Sequence, residues 1–158
     1  MNPASEPLKF KVADIVDRGG LAVRLSVPGD YLLREPLAEA APGGPLAVTL
    51  EFAVGADSVL LEGTFNGTWR LGCARCLAEH AVGYEGTLVE TYEATVSEID
   101  LSDDLRQAAL LELPKRSLCR PDCRGLCPAC GRNLNESACA CAPQKTSGFD
   151  ALKKLKEH

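Results

Sequence analysis

The chain has 158 residues, is 46% hydrophobic and 25% charged, and carries a net charge of −5. That length suits one domain with a real core and a small annex, and the negative balance excludes a generally basic nucleic-acid binder. No apolar run approaches the roughly 18 residues of a membrane-spanning helix, and the first residues, MNPASEPLKFKVADIVDRGG, lack the apolar region of a secretory signal.

A cytoplasmic location, where thiols stay reduced, is therefore expected. Charge is unevenly spread. Residues 1–114 hold 8 Lys+Arg against 18 Asp+Glu, a balance of −10, whereas residues 115–158 hold 9 against 4, a balance of +5. The expected organisation is an acidic body, 1–114, followed by a basic annex, 115–158. A cationic end on an acidic body suits an anionic partner or a solvated surface equally.

Lys9–Val16 and Leu21–Val27 read as short strands around the turn Asp17-Arg18-Gly19-Gly20. A short helix is expected over Pro28–Ala40, then a loop over Ala41-Pro42-Gly43-Gly44-Pro45. Val48, Leu50, Phe52 and Val54 alternate with polar or small residues. After the turn Gly55-Ala56-Asp57, so do Val59, Leu61, Phe65, Trp69 and Leu71. A third alternating run places Val82, Tyr84, Leu88 and Tyr92 on one face. Such runs joined by tight links predict an antiparallel meander, with Cys73-Ala74-Arg75-Cys76 at a hairpin tip.

A helix is expected over Ser102–Leu113, with Ser102 as its cap and Asp103 and Asp104 at the positive end of its dipole. Leu101, Leu105, Ala108 and Leu111 form its apolar stripe, and Pro114 ends it. Residues 148–158 place Phe149, Leu152 and Leu155 on one side of a last short helix. The fold class is α+β: an antiparallel β-sheet meander, a few helices and a C-terminal cysteine-rich annex.

The annex contains six of the eight cysteines: Cys119, Cys123, Cys127, Cys130, Cys139 and Cys141. Cys73 and Cys76 lie far upstream. Disulfides conflict with a reducing compartment, and Cys139-Ala140-Cys141 is too short for an easy bridge between its own thiols. Metal suits the spacing better. Zinc takes four thiolates at the corners of a tetrahedron, and each Cys-x-x-Cys turn offers two. Leu126-Cys127-Pro128-Ala129-Cys130-Gly131 is a zinc-knuckle sequence, in which Gly131 lets the backbone fold back.

With Cys139 and Cys141 the knuckle completes one site. Cys73, Cys76, Cys119 and Cys123 could then form a second, stapling the annex to the sheet. A single ion held by another subset is the competing arrangement, so one or two structural Zn2+ ions are expected. Catalytic zinc sites keep an open position and usually include His or carboxylate ligands. His80 reads as a surface or packing residue and His158 as the frayed terminus. No glycine-rich phosphate loop and no serine–histidine pairing stands out, so no enzymatic activity is expected.

The order of these motifs resembles the YceD family, the large ribosomal RNA subunit accumulation proteins of bacteria and plastids. The likeness runs through Cys73-Ala-Arg-Cys-Leu77, Asp100-Leu101 and Glu112-Leu113-Pro114 to Cys123-Arg-Gly-Leu-Cys127-Pro-Ala-Cys130-Gly-Arg-Asn-Leu-Asn135 with Cys139-Ala-Cys141. It implies a non-enzymatic cytoplasmic factor needed for normal levels of large-subunit (23S) ribosomal RNA. The family's Asp-Pro-Arg before the final helix is Asp150-Ala151-Leu152 here, so no role for that arginine carries over.

Residue chemistry agrees in direction. Arg116, Arg120, Arg124 and Arg132 lie among the cysteines, followed by Lys145, Lys153, Lys154 and Lys156. Metal would fix the arginines' backbone for phosphate contacts with ribosomal RNA or a large-subunit precursor. Asn133 and Asn135 could reach sugar or base edges, or close the knuckle's turn. The rival functions are an adaptor docking on a ribosomal protein or maturation factor, and a redox-regulated zinc chaperone.

Overall fold

The computed structural model describes residues 8–33 and 40–141. The expected helix at 148–158, together with Lys145, Lys153, Lys154 and Lys156, lies outside them. The elements in chain order are β1 (Lys9–Lys11), α1 (Val12–Asp17), β2 (Leu21–Val27), a 3₁₀ turn (Gly29–Leu32), β3 (Ala40–Pro42), β4 (Leu46–Val54), β5 (Ser58–Gly72), β6 (Glu79–Glu93), β7 (Glu98–Asp100) and α2 (Ser102–Leu111).

The fold is α+β, a mostly antiparallel sheet with two helices. β4, β5 and β6 form the meander that their alternation predicts. Leu50 faces Gly63 across β4 and β5, and Phe65 faces Gly86 across β5 and β6. β2 extends the sheet beyond β4, and β3 flanks the far end of β5 beside β4. A separate ribbon pairs β1 with β7.

Among the described residues, one sheet face is buried. Val48, Leu50 and Phe52 of β4, Val59, Leu61, Phe65 and Trp69 of β5, and Leu88 of β6 meet Val12 and Ile15 of α1 and Leu105 and Ala109 of α2. Each Leu- or Phe-sized side chain buried this way stabilises the fold by about 1.5–3 kcal/mol. Trp69 stacks on Tyr84 with ring centroids 5.2 Å apart. The opposite face of the meander is exposed along its polar residues.

Several local expectations are corrected. The strand expected over Lys9–Val16 stops at Lys11 and a helix follows. Val12, Ile15 and Val16 have helical spacing, and Val12 and Ile15 use it to enter the core. The helix expected over Pro28–Ala40 is only the 3₁₀ turn Gly29–Leu32; Leu33 is extended and Ala40 pairs with Leu71. The loop expected from Ala41 therefore begins after Pro42.

α2 ends at Leu111, and Leu111 is 84% exposed; the rest of the expected stripe does face inward, with Leu101 and Leu105 buried and Ala108 packed against the core, and Ala109 joins it. Ser102 is the first helical residue and not the cap. Its amide donates to the Asp100 carboxylate (2.9 Å), which also accepts its hydroxyl. Among the described residues, no helix is long and apolar enough to cross a membrane.

Candidate metal centres

β5 and β6 are paired over fifteen positions, from Ser58↔Glu93 to Gly72↔Glu79. At about 3.3 Å per residue the hairpin is roughly 50 Å long. Its tip is the turn carrying Cys73 and Cys76. Here the Cys73 amide donates to the Ala78 carbonyl (2.9 Å) and the Leu77 amide to the Cys73 carbonyl (2.9 Å). Leu77 closes the turn at φ 61, an uncommon conformation for a residue with a side chain.

Beyond α2 the chain returns to this tip. The Ala74 amide donates to the Ser117 carbonyl (2.8 Å) and the Leu126 amide to the Arg75 carbonyl (3.1 Å).

The return brings the eight thiols into two groups of four. Cys73, Cys76, Cys119 and Cys123 have sulfurs within 4.8 Å of one another, as do Cys127, Cys130, Cys139 and Cys141. None is bridged. The sulfurs lie 3.7 Å apart for Cys73–Cys123, 3.6 Å for Cys76–Cys119 and 3.3 Å for Cys127–Cys139. A zinc ion about 2.3 Å from four thiolates sets them about 3.8 Å apart, whereas a disulfide needs about 2.05 Å. Both groups could hold a metal ion, and their all-sulfur donors suit structural zinc.

The environments differ. Cys73, Cys76 and Cys123 are buried around a small apolar cluster of their own, with Cys119 and Leu126 packed against it. In the second group only Cys127 is buried; Cys130 and Cys141 are exposed.

Within each group the thiols titrate apart. Backbone hydrogen bonding from Cys119, reinforced by the Cys76 and Arg75 backbone, lowers Cys73 to about 5 against burial. Burial first, then neighbouring thiols, push Cys119 up to about 12. Backbone hydrogen bonds from Cys130 and Ala129 lower Cys127 to about 6, while contact with Cys130 and Cys139 pushes Cys141 up to about 12. Four thiolates so close repel one another unless a cation sits among them.

The second group sits on a knuckle. The Gly131 amide donates to the Cys127 carbonyl (2.8 Å), and the Cys127 amide to the Arg132 carbonyl (2.8 Å). Gly131 has φ 71 and Gly125 has φ 76; a Cβ at Gly125 would lie 3.0 Å from the Arg75 carbonyl oxygen. Asn135, in the loop between Cys130 and Cys139, reaches the first group. Its amide nitrogen donates to Cys123 Sγ (3.3 Å) and Asn133 Oδ1 (2.8 Å), and its oxygen accepts from the Arg124 amide (2.8 Å) and Arg120 Nη2 (2.9 Å). Asn133 accepts from the Asn135 backbone amide (3.1 Å), and Asn135 braces the segment from Arg120 to Arg124.

Arg116, Arg120, Arg124 and Arg132 are all exposed around these groups. Arg120 is partly engaged, with its Nε 3.6 Å from Asp122. Sequence reasoning missed Arg75, whose guanidinium donates to the Cys123 carbonyl (2.9 Å) from inside the first Cys-x-x-Cys turn. It also missed a serine–histidine contact, His80 Nε2 to Ser117 Oγ at 2.6 Å, which pins the returning chain to β6. The 37 residues between them hide that pairing from local spacing. A groove of about 1030 Å3 opens beside it, lined by Leu77, Leu113, Pro114, Arg70, Lys115 and Arg116 among others.

Residues 90–156 match the family model described as Large ribosomal RNA subunit accumulation protein YceD. The chain is 41% identical over 63 residues to the maize (Zea mays) Large ribosomal RNA subunit accumulation protein YCED homolog 1, chloroplastic. That match covers 39% of this chain and 22% of the relative. Its Arabidopsis thaliana counterpart is 38% identical over 63 residues, 39% of this chain and 20% of the relative. Uncharacterized protein ML1660 of Mycobacterium leprae is 31% identical over 147 residues, 81% of this chain and 68% of the relative. The chain thus spans about a fifth of the plant relatives' length and about two thirds of the mycobacterial one. No solved structure matches the chain.

Proposed function

The chain belongs to the YceD family, and from that premise we propose that it is a non-catalytic cytoplasmic factor supporting accumulation of large-subunit ribosomal RNA. Cys73, Cys76, Cys119 and Cys123 hold one structural Zn2+, and Cys127, Cys130, Cys139 and Cys141 hold another. The metals supply no reaction. They hold residues 115–141 in one shape against the hairpin tip. Arg116, Arg124 and Arg132, with Arg120 and the lysines at 145, 153, 154 and 156, then contact phosphates of the ribosomal RNA or its precursor particle.

The observation that carries this proposal is the gathering of eight thiols into two tetrads among exposed arginines. The test is binding of the zinc-loaded chain to large-subunit ribosomal RNA across a salt series. Replacing Arg116, Arg124 and Arg132 together by Glu should weaken binding at least tenfold. It should also flatten the log–log salt slope by roughly 2–3, at about 0.7–0.9 per phosphate contact. Zinc content should stay unchanged. Binding and slope indistinguishable from wild type would refute the RNA contact.

A second proposal, docking on a ribosomal protein or maturation factor, draws on two observations. The groove beside the tip carries Leu77, 71% exposed. Residues 115–141 contain no aromatic ring on which a base could stack.

A further inference from the structure

Among the described residues the β5–β6 ladder has one open side. Its register is unbroken, and the hydrogen bonds beyond its two ends fix its phase. The Ala94 amide donates to the Asp57 carbonyl (3.0 Å), and the Cys73 amide to the Ala78 carbonyl (2.9 Å). In an antiparallel pair, alternate residues turn both backbone groups toward the partner strand. Even-numbered residues of β6 therefore bond to β5. Odd-numbered residues, from Glu79 to Glu93, turn their N–H and C=O groups to the outer edge.

Among the described residues, no strand pairs with that edge. The side chains of these odd residues are exposed, and Val89 is 61% exposed. A long unpaired edge is a template for another strand unless its side chains discourage one.

The side chains select the occupant. β6 carries Glu79, Glu85, Glu90 and Glu93 and no Lys or Arg. Glu79 is already paired with Arg70 of β5 at 3.3 Å, so Glu85, Glu90 and Glu93 carry the charge of this strand, and two copies meeting edge to edge would bring six such carboxylates together. Like charges directly opposite destabilise a pair, and opposite charges stabilise it. The edge is thus guarded against itself and open to cations.

We propose that the outer edge of β6 docks an extended, lysine- or arginine-rich segment of a partner protein, which adds to the sheet as one more strand. Backbone hydrogen bonds give it affinity and the glutamates give it charge selectivity. This surface is acidic and is separate from the arginines offered to RNA, so it does not depend on the RNA proposal.

The test uses the full zinc-loaded chain and a labelled peptide of about 12 residues alternating Lys and Val, long enough to span roughly 40 Å. An analogue N-methylated at alternate amides keeps the charge but cannot complete a ladder. The first peptide should bind saturably and slow hydrogen exchange at the outward amides of β6. The methylated one should bind at least tenfold more weakly.

Thr87→Pro removes an outward N–H without touching the ladder to β5, so it should fold, retain its metal and lose at least tenfold in peptide affinity. Should it fail to fold, Glu85→Lys with Glu93→Lys should give the same loss. Several results would overturn the proposal. These are no peptide binding, equal binding of the two peptides, or a solution dimer that Thr87→Pro dissociates. So would outward amides already protected in the free chain and released when residues 142–158 are removed, which would make the chain's own tail the occupant.

Discussion

At the scale of single residues, Asp100 performs the task that its neighbour Ser102 was expected to do. Its carboxylate accepts the Ser102 hydroxyl and amide and lies 3.7 Å from Lys9 Nζ, bracing the start of α2 against β1. The Ser102 bonds, more than Lys9, hold its carboxyl below the usual value of 3.8. A lowered folded pKa means that the stabilisation is present above the ordinary carboxylate value and is lost as pH falls through the lower one. Asp100→Ala should therefore cost about 1 kcal/mol of stability at neutral pH. The gap in urea midpoints between variant and wild type should close in strong acid. A gap independent of pH would assign Asp100 a packing role. The swap was hard to read because Asp and Ser both cap helices, and only the backbone angles say which one lies outside the first turn.

Among elements, the long hairpin was legible because its alternation runs for many residues with one face apolar. Val59, Leu61, Phe65, Trp69 and Leu71 were all expected inward, and all are buried. Short elements were not legible. β3 has three residues and exists because β5 offers it Leu71, Arg70 and Trp69 as partners, a tertiary cause that no local window contains. The turn at Cys73–Cys76 was placed at a hairpin tip by the runs on either side of it.

That placement bears on the metals. The first thiol group joins the tip to Cys119 and Cys123 and is mostly buried, whereas the second closes a loop with two exposed thiols. Cys76→Ser should then lower zinc content by about one ion, cost several kcal/mol and raise hydrogen exchange in the tip and in 115–126. Cys141→Ser should leave the tip's exchange unchanged. Native mass spectrometry with exchange mapping distinguishes the two, and equal effects on the tip would contradict the staple.

Across the whole molecule there are two separate interiors: the large apolar core and the small cluster around Cys73, Cys76 and Cys123. The first contains none of the eight cysteines. Chelation should therefore remove the order of residues 115–141 while the body keeps one cooperative unfolding transition, seen by circular dichroism together with tryptophan fluorescence from Trp69. Acid should act like chelator on the annex, because protons compete for the thiolates; metal release on acidification is the expected sign. Collapse of both interiors together on chelation would make them one unit. The charge split and the cysteine spacing made the annex visible in the sequence. The way it reaches the sheet depends on Arg75, His80 and Ser117, whose contacts join residues far apart in the chain.

Among the described strands, only β3 pairs with the upper part of the hairpin, since β4 pairs no further along β5 than Asn66. A zip fastener parts from whichever end is left loose. In this chain the clasp is fitted at that end.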